Sequence, residues 1–208
     1  MILIGQYDSP FVRRVGIAMT LYGLSYEHKP WSTFSDADKI RPYNPLTRVP
    51  TLVLGDGDVL QESHLIIDYL DHMVDPAKML YPRAEPARHA ALAISGLACG
   101  MADKAVALFY EKRLHDKTSD SWIARCTAQV IGALDRLEQV CSKRQTPYWN
   151  GANMGHTDIA VTCCLRFAME AHPDLLYMRD YPTLAADCAM LEALPAFKQI
   201  SQAFIPPA

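Results

Sequence analysis

The stretch of sequence that decides the fold lies at the N-terminus, where residues 2–15 read ILIGQYDSPFVRRV. Its first three residues are apolar, which is typical of a buried strand, and a short polar segment follows them. Ser9-Pro10 then opens a pattern with helical period, and Gly23 offers a C-terminal stop. The sequence therefore predicts a strand, a turn and a helix, with Ser9 at the corner that joins them.

Two roles fit Ser9 at this corner. As an N-cap, its hydroxyl would accept a hydrogen bond from a backbone N–H of the first helical turn, while Pro10 fills a position whose N–H has no helical partner. Alternatively, the hydroxyl would donate a hydrogen bond to an anion held at the positive end of the helix dipole. The two roles do not exclude each other, and the local pattern does not choose between them.

The composition argues against several classes of protein. Half of the 208 residues are hydrophobic, 21% are charged and the formal net charge is -3, which is ordinary for a soluble globular protein. No basic run exceeds two residues, so we expect neither nucleic acid nor a membrane surface as a partner. The longest uncharged apolar stretch, residues 90–102, has 13 residues, fewer than the ~20 that span a bilayer. The N-terminus lacks the pattern of a signal peptide.

The cysteines and histidines indicate neither disulfides nor a metal site. The six cysteines include no C-x-x-C pair, and we interpret them as reduced, buried thiols of a cytoplasmic protein. The seven histidines show no i,i+4 pair and no clustering with cysteine, so no metal is expected. The Asp-Gly-Asp segment at 56–58 superficially resembles a calcium loop but lacks the other ligands, so a hairpin turn is the better interpretation.

The chain divides into parts with different patterns. Residues 1–75 alternate strand-like and helix-like segments, which indicates an α/β domain. Residues 76–86 contain three prolines and are predicted to form a linker. Residues 87–208 are predicted to form an all-helical domain. The remaining predicted strands are 26–31, 51–54 and 59–60, and the predicted helices are 10–24, 36–40, 62–73, 87–115, 121–141, 155–170, 183–194 and 196–204. The helix at 62–73 is expected to bury Ile66, Leu70 and Met73.

Three local patterns resemble those of the glutathione S-transferases, specifically the bacterial soluble type with serine at the first helix. Residues 9–15 (SPFVRRV) resemble the active-site corner of that family, and residues 44–52 (NPLTRVPTL) resemble its glutathione-backbone loop. Gln61-Glu62-Ser63, before an apolar helix, resembles its γ-glutamyl site. The likeness covers essentially the whole chain. It implies a thioredoxin-like α/β N-terminal domain and an all-α C-terminal domain, residues 87–208, that contributes the electrophile pocket.

The resemblance implies that glutathione binds as a co-substrate, without a metal, and that Ser9 is the catalytic residue. The Ser9 hydroxyl would donate to the glutathione sulfur and favour the thiolate, which is the nucleophilic form. Lowering a thiol pKa by two units from about 8.5 requires roughly 2.7 kcal/mol. One charge-assisted hydrogen bond and a helix dipole can supply a stabilisation of that size.

The resemblance assigns glutathione binding to Arg48, Val49, Pro50, Glu62 and Ser63. A cis bond at Val49-Pro50 would turn the Val49 backbone outward to pair with the tripeptide, whereas a plain strand-initiating proline is the alternative. Glu62 would accept hydrogen bonds from the γ-glutamyl ammonium, and Ser63 with the helix N–H groups would bind the γ-glutamyl carboxylate. The alternative is that Glu62 and Ser63 only favour the helix dipole.

Tyr7 is the rival hydroxyl for thiol activation, since other branches of the family use a tyrosine near the strand end. Its ring is otherwise expected to line the electrophile pocket or the core. The residues predicted for the electrophile pocket are Tyr7, Phe11, Phe34, Met101, Ala105 and Phe109, although residues of this kind at helical spacing are more often plain core. By resemblance the protein is a homodimer, and Asp103 would reach the γ-glutamyl ammonium bound to the partner; a solvated charge is the default interpretation.

One position departs from the family pattern. The usual Ser/Thr-x-x-Asp capping box reads Gly155-His156-Thr157-Asp158 in this chain. Glycine caps a helix at a cost of only a few tenths of a kcal/mol relative to serine. Asp158 is still expected to accept hydrogen bonds from backbone N–H groups, so the fold is expected to persist with a smaller free energy of unfolding.

The resulting hypothesis is a cytoplasmic glutathione transferase that conjugates glutathione to a small hydrophobic electrophile, as in detoxification. One alternative is a non-catalytic binding or regulatory protein of the stringent-starvation type, which keeps the fold without turnover. The other is a glutathione-dependent isomerase of the maleylacetoacetate kind, although the corner lacks the Ser-Ser-Cys sequence of that branch. No P-loop, dinucleotide fingerprint or G-x-S-x-G elbow favours other chemistry.

Overall fold

A computed structural model describes residues 1–176 and 180–206 of the chain. Residues 177–179 and 207–208, which belong to the predicted helical domain, lie outside the described part. The chain separates into two units, the first built from Met1–Leu80 and Leu194–Ala208 and the second from Tyr81–Ala193. The first unit contains the predicted glutathione-binding residues Arg48, Val49, Pro50, Glu62 and Ser63, whereas Asp103, the predicted contact across the dimer, lies in the second.

The first unit contains a mixed sheet of four short strands. They are β1 (Ile2–Ile4), β2 (Glu27–Lys29), β3 (Thr51–Val53) and β4 (Val59–Gln61), in the spatial order β2-β1-β3-β4. β1 pairs parallel with β2 and antiparallel with β3, and β3 and β4 form an antiparallel hairpin. Two parallel strands require a crossover between them, and the helix that follows β1 provides it. The predicted α/β class and the predicted hairpin are confirmed.

The described part of the first unit also contains four α-helices and one short 3₁₀ helix, Pro76–Lys78. The α-helices are α1 (Pro10–Tyr22), α2 (Ala37–Ile40), α3 (Ser63–Met73) and α8 (Pro195–Gln199). α1 packs against both α3 and α8, and it ends at Gly23 in the left-handed region with φ 69°, as predicted. The predicted buried face of α3 is partly wrong. Ile66 and Leu70 are buried, but Met73 is 46% exposed, because it is the last residue of the helix and the chain turns away at Val74.

The second unit is helical. It consists of α4 (Ala87–Leu114), α5 (Asp120–Cys141), α6 (His156–Ala171) and α7 (Pro182–Glu192). α4 packs against α5 and α6, and α7 packs against the same two helices. Gly155 is the N-cap of α6, and the buried Asp158 accepts hydrogen bonds from the N–H groups of Gly155 at 2.9 Å and Trp149 at 3.0 Å. The prediction that Asp158 still accepts hydrogen bonds from backbone N–H groups, with Gly155 as the N-cap, is therefore confirmed.

Helix α4 is long and apolar enough, by length and composition alone, to cross a membrane. Core helices of soluble proteins meet the same criterion. In this unit α4 buries Ala98, Ala102 and Leu108 completely and packs against two neighbouring helices, which is the behaviour of a core helix. The six cysteines, all within the described residues, form no disulfide bond; five of them are buried, as the sequence predicts, whereas Cys188 is half-buried.

The C-terminal segment differs from the prediction, which assigned residues 194–208 to the helical domain and a helix to 196–204. α8 ends at Gln199, and the residues that follow it have no regular secondary structure as far as residue 206. The segment groups with the first unit because α8 packs against α1. Contacts between residues nearly two hundred positions apart leave no mark in local periodicity, so the sequence pattern did not reveal them.

Candidate functional site

Ser9 lies between β1 and α1 and caps the helix. Its backbone is extended, with φ -67° and ψ 123°, and its Oγ accepts a hydrogen bond from the Val12 N–H at 3.4 Å. Pro10 occupies the first helical position, and the first turn of α1 carries no acidic side chain. The capping bond uses a lone pair of the Ser9 oxygen and leaves the hydroxyl proton available to donate. A half-buried hydroxyl thus stands at a helix N-terminus, where an anion is favoured.

Gly5 brings this corner against the loop that precedes β3. Its φ is +129°, a conformation that favours glycine, and a Cβ placed there would lie 2.5 Å from Val12 Cγ2 and 2.8 Å from Val49 Cβ. Only a residue without a side chain allows α1 and the Val49 loop to approach this closely. Two predicted parts of the site, the Ser9 corner and the Val49-Pro50 segment, are therefore neighbours.

The loop at residues 44–50 is organised by Asn44, which is fully buried. Its Nδ2 donates to the Arg48 carbonyl at 3.0 Å and to Thr51 Oγ1 at 2.9 Å, and its Oδ1 accepts from the Leu46 N–H at 2.9 Å. The Val49-Pro50 bond is cis, as the resemblance implies. The β1–β3 ladder begins only at Thr51, so the N–H and C=O of Val49 lie outside the sheet pairing.

Arg48 and Glu62 form an ion pair, with Arg48 Nη1 donating to Glu62 Oε1 at 2.8 Å. Glu62 directly precedes α3, has φ 65° and makes no capping bond with its side chain. With ψ 117° this positive φ falls outside the left-handed helical region; a non-glycine residue in such a sparsely populated region costs about 1–3 kcal/mol, and such residues tend to collect at functional sites. Two of the predicted glutathione-binding residues are thus brought together, one from the loop and one from the start of α3.

Ser63, the first residue of α3, is almost fully buried, and Arg14 Nη1 donates to its Oγ at 3.4 Å. The same nitrogen lies 3.5 Å from His64 Nδ1. Arg14 belongs to α1 and is completely buried. Because the Ser63 oxygen accepts this bond, its hydroxyl proton remains available for an anionic ligand at the start of α3.

Tyr7 is held inside the first unit. Its ring stacks on His28 with centroids 3.9 Å apart, and its hydroxyl lies 2.9 Å from the hydroxyl of Tyr26. Burial, followed by the hydrogen bond to Tyr26, raises the pKa of Tyr7 well above its ordinary value. The Tyr7 hydroxyl therefore stays protonated and shares a hydrogen bond with Tyr26 in which either oxygen can be the donor; to activate a thiol it would have to donate away from Tyr26.

The remaining predicted residues are distributed over both units. Phe11 lies on α1 and is half-buried, whereas Phe34 is 43% exposed in the segment before α2. In the second unit, Met101 and Ala105 are buried in α4 and Asp103 is exposed on the same helix. Phe109 lies edge-on to His172 with centroids 6.3 Å apart and lines a cavity of about 340 Å³ in that unit.

Sequence reasoning missed Asn44 and Arg14 as organisers of the site. A signal existed for Asn44, because an amide followed by proline at the start of a loop favours a turn that the side chain stabilises. Arg14 carried no such signal, since a basic residue on a short helix is usually solvated. Within residues 1–176 and 180–206, no three His, Cys, Asp or Glu side chains lie close enough to hold a metal ion.

Comparison with protein families matches both parts of the chain. The family model described as glutathione S-transferase, N-terminal domain, matches residues 3–78. The model described as glutathione S-transferase, C-terminal domain, matches residues 120–198. Together the two matches cover most of the chain.

Curated relatives span nearly the same length. Glutathione S-transferase Z2 of Arabidopsis thaliana is 28% identical over 204 residues, covering 94% of this chain and 88% of the relative. A probable maleylacetoacetate isomerase of Caenorhabditis elegans is 28% identical over 198 residues, covering 94% of this chain and 90% of the relative.

Solved structures agree with the fold. A glutathione S-transferase from Methylobacterium radiotolerans in complex with glutathione sulfonate has a TM-score of 0.89 and 27% identity, covering 100% of this chain and 98% of the other. A glutathione S-transferase from Methylobacillus flagellatus with glutathione bound has a TM-score of 0.88 and 27% identity, covering 96% and 98%.

Proposed function

Because this chain belongs to the glutathione S-transferase family, we propose that it binds glutathione, stabilises its thiolate and conjugates it to a small hydrophobic electrophile. The observation that carries the proposal is the Ser9 corner. Its oxygen accepts the N-cap bond from Val12, so the hydroxyl proton can be donated to a sulfur at the positive end of α1. The thiol proton passes to solvent, and the thiolate attacks the electrophilic carbon to form a carbon–sulfur bond. Either the bond to a leaving group breaks and that group departs with its electron pair, or an activated double bond opens and the resulting carbanion takes up a proton.

The contacts around the corner support a binding mode for the tripeptide. The unpaired backbone of Val49, before Pro50, can extend the sheet pairing to the peptide backbone of glutathione. Glu62 offers a carboxylate to the γ-glutamyl ammonium, while Ser63 and the N–H groups of α3 suit the γ-glutamyl carboxylate. Arg48, which is 58% exposed in its pair with Glu62, is available to a carboxylate of the ligand.

The experiment that tests this proposal combines calorimetric titration with glutathione and the ultraviolet absorbance of the bound thiolate as a function of pH. Three Ser9 variants separate the two roles of the residue. Ser9→Thr keeps a hydroxyl, Ser9→Gly keeps most of the capping stability without a hydroxyl, and Ser9→Ala removes both. We expect Ser9→Gly and Ser9→Ala to bind glutathione but to lose roughly 100-fold in turnover, as when a donor to a developing anion is removed.

The outcome depends on the thiol pKa of bound glutathione. A pKa lowered by about two units in the wild type and in Ser9→Thr, but not in Ser9→Gly, would support Ser9 as the donor. A lowered pKa in all variants would transfer the role to backbone N–H groups or to Tyr7. Binding with an ordinary thiol pKa in the wild type would instead favour the non-catalytic alternative.

A second candidate is a glutathione-dependent isomerase of the maleylacetoacetate kind, and the similarity to a probable isomerase over nearly the whole chain favours it. In such a reaction the thiolate adds to a conjugated double bond, the bond rotates, and elimination returns glutathione unchanged. Conjugation consumes one glutathione for each product, whereas isomerisation consumes none. Measuring free thiol during turnover therefore distinguishes the two candidates.

The electrophile pocket, the dimer and the cellular location remain part of the proposal. The sequence-based assignment of the electrophile pocket to Tyr7, Phe11, Phe34, Met101, Ala105 and Phe109 stays a prediction, as does Asp103 as the contact across the dimer. The exposed apolar side chains of α3, among them Leu65 at 64%, support an association of two copies. Six cysteines without a disulfide bond among them support a reducing compartment such as the cytoplasm.

A further inference from the structure

The end of the chain is anchored beside the helix that Ser9 caps. Arg13, at the start of α1, is only 2% exposed. Its Nε donates to the Ile200 carbonyl at 2.8 Å and its Nη2 donates to the Phe197 carbonyl at 3.1 Å. The last carbonyls of a helix have no partner within that helix, so a buried guanidinium that bonds to two carbonyls at the end of α8 fixes the path of the chain there.

Beyond this anchor, the chain bonds to the two residues that directly precede Ser9. Gln202 Oε1 accepts a hydrogen bond from the Tyr7 N–H at 3.1 Å. Asp8 Oδ2 accepts one from the Ile205 N–H at 3.1 Å. The turn itself is closed by the Ser9 N–H, which donates to the Gln6 carbonyl at 3.2 Å. The C-terminal segment therefore restrains the turn through its hydrogen bonds to Tyr7 and Asp8.

Packing on α1 couples the same two regions. A Cβ at Gly16 would lie 2.9 Å from Ile200 Cγ2 and 2.9 Å from Tyr7 Cε1. The Tyr7 ring and the Ile200 side chain therefore both pack against Gly16 of α1. A displacement of Ile200 changes the space available to the Tyr7 ring, two residues before Ser9.

The position of the Ser9 hydroxyl depends on this turn. The N-cap bond to Val12, at 3.4 Å, is longer than the 2.7–3.2 Å usual for N–H···O bonds, so it restrains the hydroxyl weakly. A displacement of about 1 Å in a reacting group can cost about 100-fold in rate. Restraints on the residues just before Ser9 therefore bear directly on thiolate stabilisation.

We propose that Gln202 is a positioning residue for the thiol site, holding the Tyr7–Ser9 turn so that the Ser9 hydroxyl meets the glutathione sulfur. This inference rests on the proposed function. Gln202 is half-buried, and a single hydrogen bond of this kind contributes about 1 kcal/mol to stability. Its loss should therefore leave the protein folded while it alters the geometry of the turn.

The test compares Gln202→Met, which removes the acceptor at similar volume, with Gln199→Met as the matched control. Gln199 is exposed on α8, three residues earlier. Gln202→Glu, which keeps an acceptor oxygen, serves as the conservative rescue. Three quantities are measured for each variant: amide hydrogen exchange at Tyr7 and Ser9 in the free protein, the thiol pKa of bound glutathione, and kcat with KM.

We expect Gln202→Met to exchange the Tyr7 amide about fivefold faster, which corresponds to one lost hydrogen bond. It should also raise the bound thiol pKa and lower kcat roughly 10-fold, with the KM for glutathione changed less than about twofold. Gln199→Met should match the wild type in all three measurements. Gln202→Glu should restore the exchange rate of the Tyr7 amide, a measurement that does not depend on charge near the sulfur.

Two failures are distinguishable. A folded Gln202→Met protein with wild-type thiol pKa and wild-type kcat would overturn the inference while leaving the proposed function intact. A wild-type protein that does not lower the thiol pKa of bound glutathione would overturn the proposed function and, with it, the positioning role of Gln202.

Discussion

Arg48 Nη1 lies 2.8 Å from Glu62 Oε1, so the loop before β3 and the start of α3 are joined by two side chains of the proposed glutathione site. Both side chains are about half exposed, at 58% and 49%, and an exposed pair contributes at most about 1 kcal/mol to stability. In the proposed binding mode, glutathione would take Glu62 from a partner that holds it only weakly. The pair orients the carboxylate in the free protein without strongly opposing its use by a ligand.

Replacing Glu62 should weaken glutathione binding with little effect on folding. We expect Glu62→Ala to raise the dissociation constant at least 10-fold, because a charge-assisted hydrogen bond to the ammonium contributes about 1.5–3 kcal/mol. The dissociation constant of Glu62→Gln, which keeps one acceptor oxygen without the charge, should lie between those of the wild type and Glu62→Ala. Calorimetric titration measures the dissociation constant. The control is Asp68→Asn, which removes the charge of an exposed carboxylate on α3. An unaltered dissociation constant in Glu62→Ala would refute the assignment of this residue.

Replacing Gly5 should destabilise the first unit. Gly5→Ala places a Cβ 2.5 Å from Val12 Cγ2 at a φ of +129°, and overpacking of this kind costs about 1–3 kcal/mol before the cost of the conformation is added. Gly55→Ala is the matched control, because nothing lies within 4 Å of its Cβ position; a change within about 1 kcal/mol is expected there. Denaturant unfolding compares the two, and equal midpoints would contradict the close approach at Gly5.

Replacing Asp158 should destabilise the second unit. Asp158 is 1% exposed and its carboxylate accepts hydrogen bonds from two backbone N–H groups, so Asp158→Ala leaves the buried N–H of Gly155 and the part-buried N–H of Trp149 without this acceptor. Each unpaired buried donor costs about 1–3 kcal/mol. Asp158→Asn, which keeps one oxygen, should lose about half as much. Thermal unfolding measures the change against Asp116→Ala, an exposed aspartate, and a loss no larger than that of the control would contradict the capping role.

His172 should make stability depend on pH. Burial lowers the pKa of His172 below 6.5, against the opposing effect of its hydrogen bond to the Ala105 carbonyl, while the charge of Lys112 lowers it further. A group whose folded pKa is depressed contributes its full stability above the unfolded value and loses it as the pH falls through the folded value. The wild type should therefore lose stability below about pH 6.5 relative to His172→Gln, which can still donate to the carbonyl.

Denaturant unfolding at a series of pH values checks the His172 prediction. His72→Gln is the control, because the His72 side chain is 69% exposed. Parallel curves for the wild type and His172→Gln would mean that His172 is equally easy to protonate in the folded and unfolded chain.

Local chemistry made much of the first unit predictable. Ser9-Pro10 opens α1 and Gly23 closes it, because a hydroxyl cap, a fixed φ and a tolerated left-handed residue each act within one helical turn. The turn at residues 56–57 likewise joins β3 and β4 as the Asp-Gly signal indicates. The resemblance, rather than the local pattern, favoured the cis bond at Val49-Pro50.

The features that escaped prediction depend on contacts distant in sequence. The pattern 196–204 looks helical, yet α8 ends at Gln199, where its carbonyls meet Arg13 of α1. Met73 has helical spacing from Ile66 but lies at the end of α3, where no neighbour covers it fully. Arg14 and Asn44 are polar residues that the fold buries, and polarity alone predicts the opposite.

The contacts of Arg13 also bear on how the chain matures during synthesis. Arg13 and Ile200, which form one hydrogen bond, are separated by 187 residues, and ribosomes add roughly 5–20 residues each second. About ten to forty seconds therefore pass before the guanidinium meets its carbonyl acceptors. Until residue 200 has been synthesised, Arg13 in the nascent first unit lacks the carbonyl acceptor that it bonds in the folded protein.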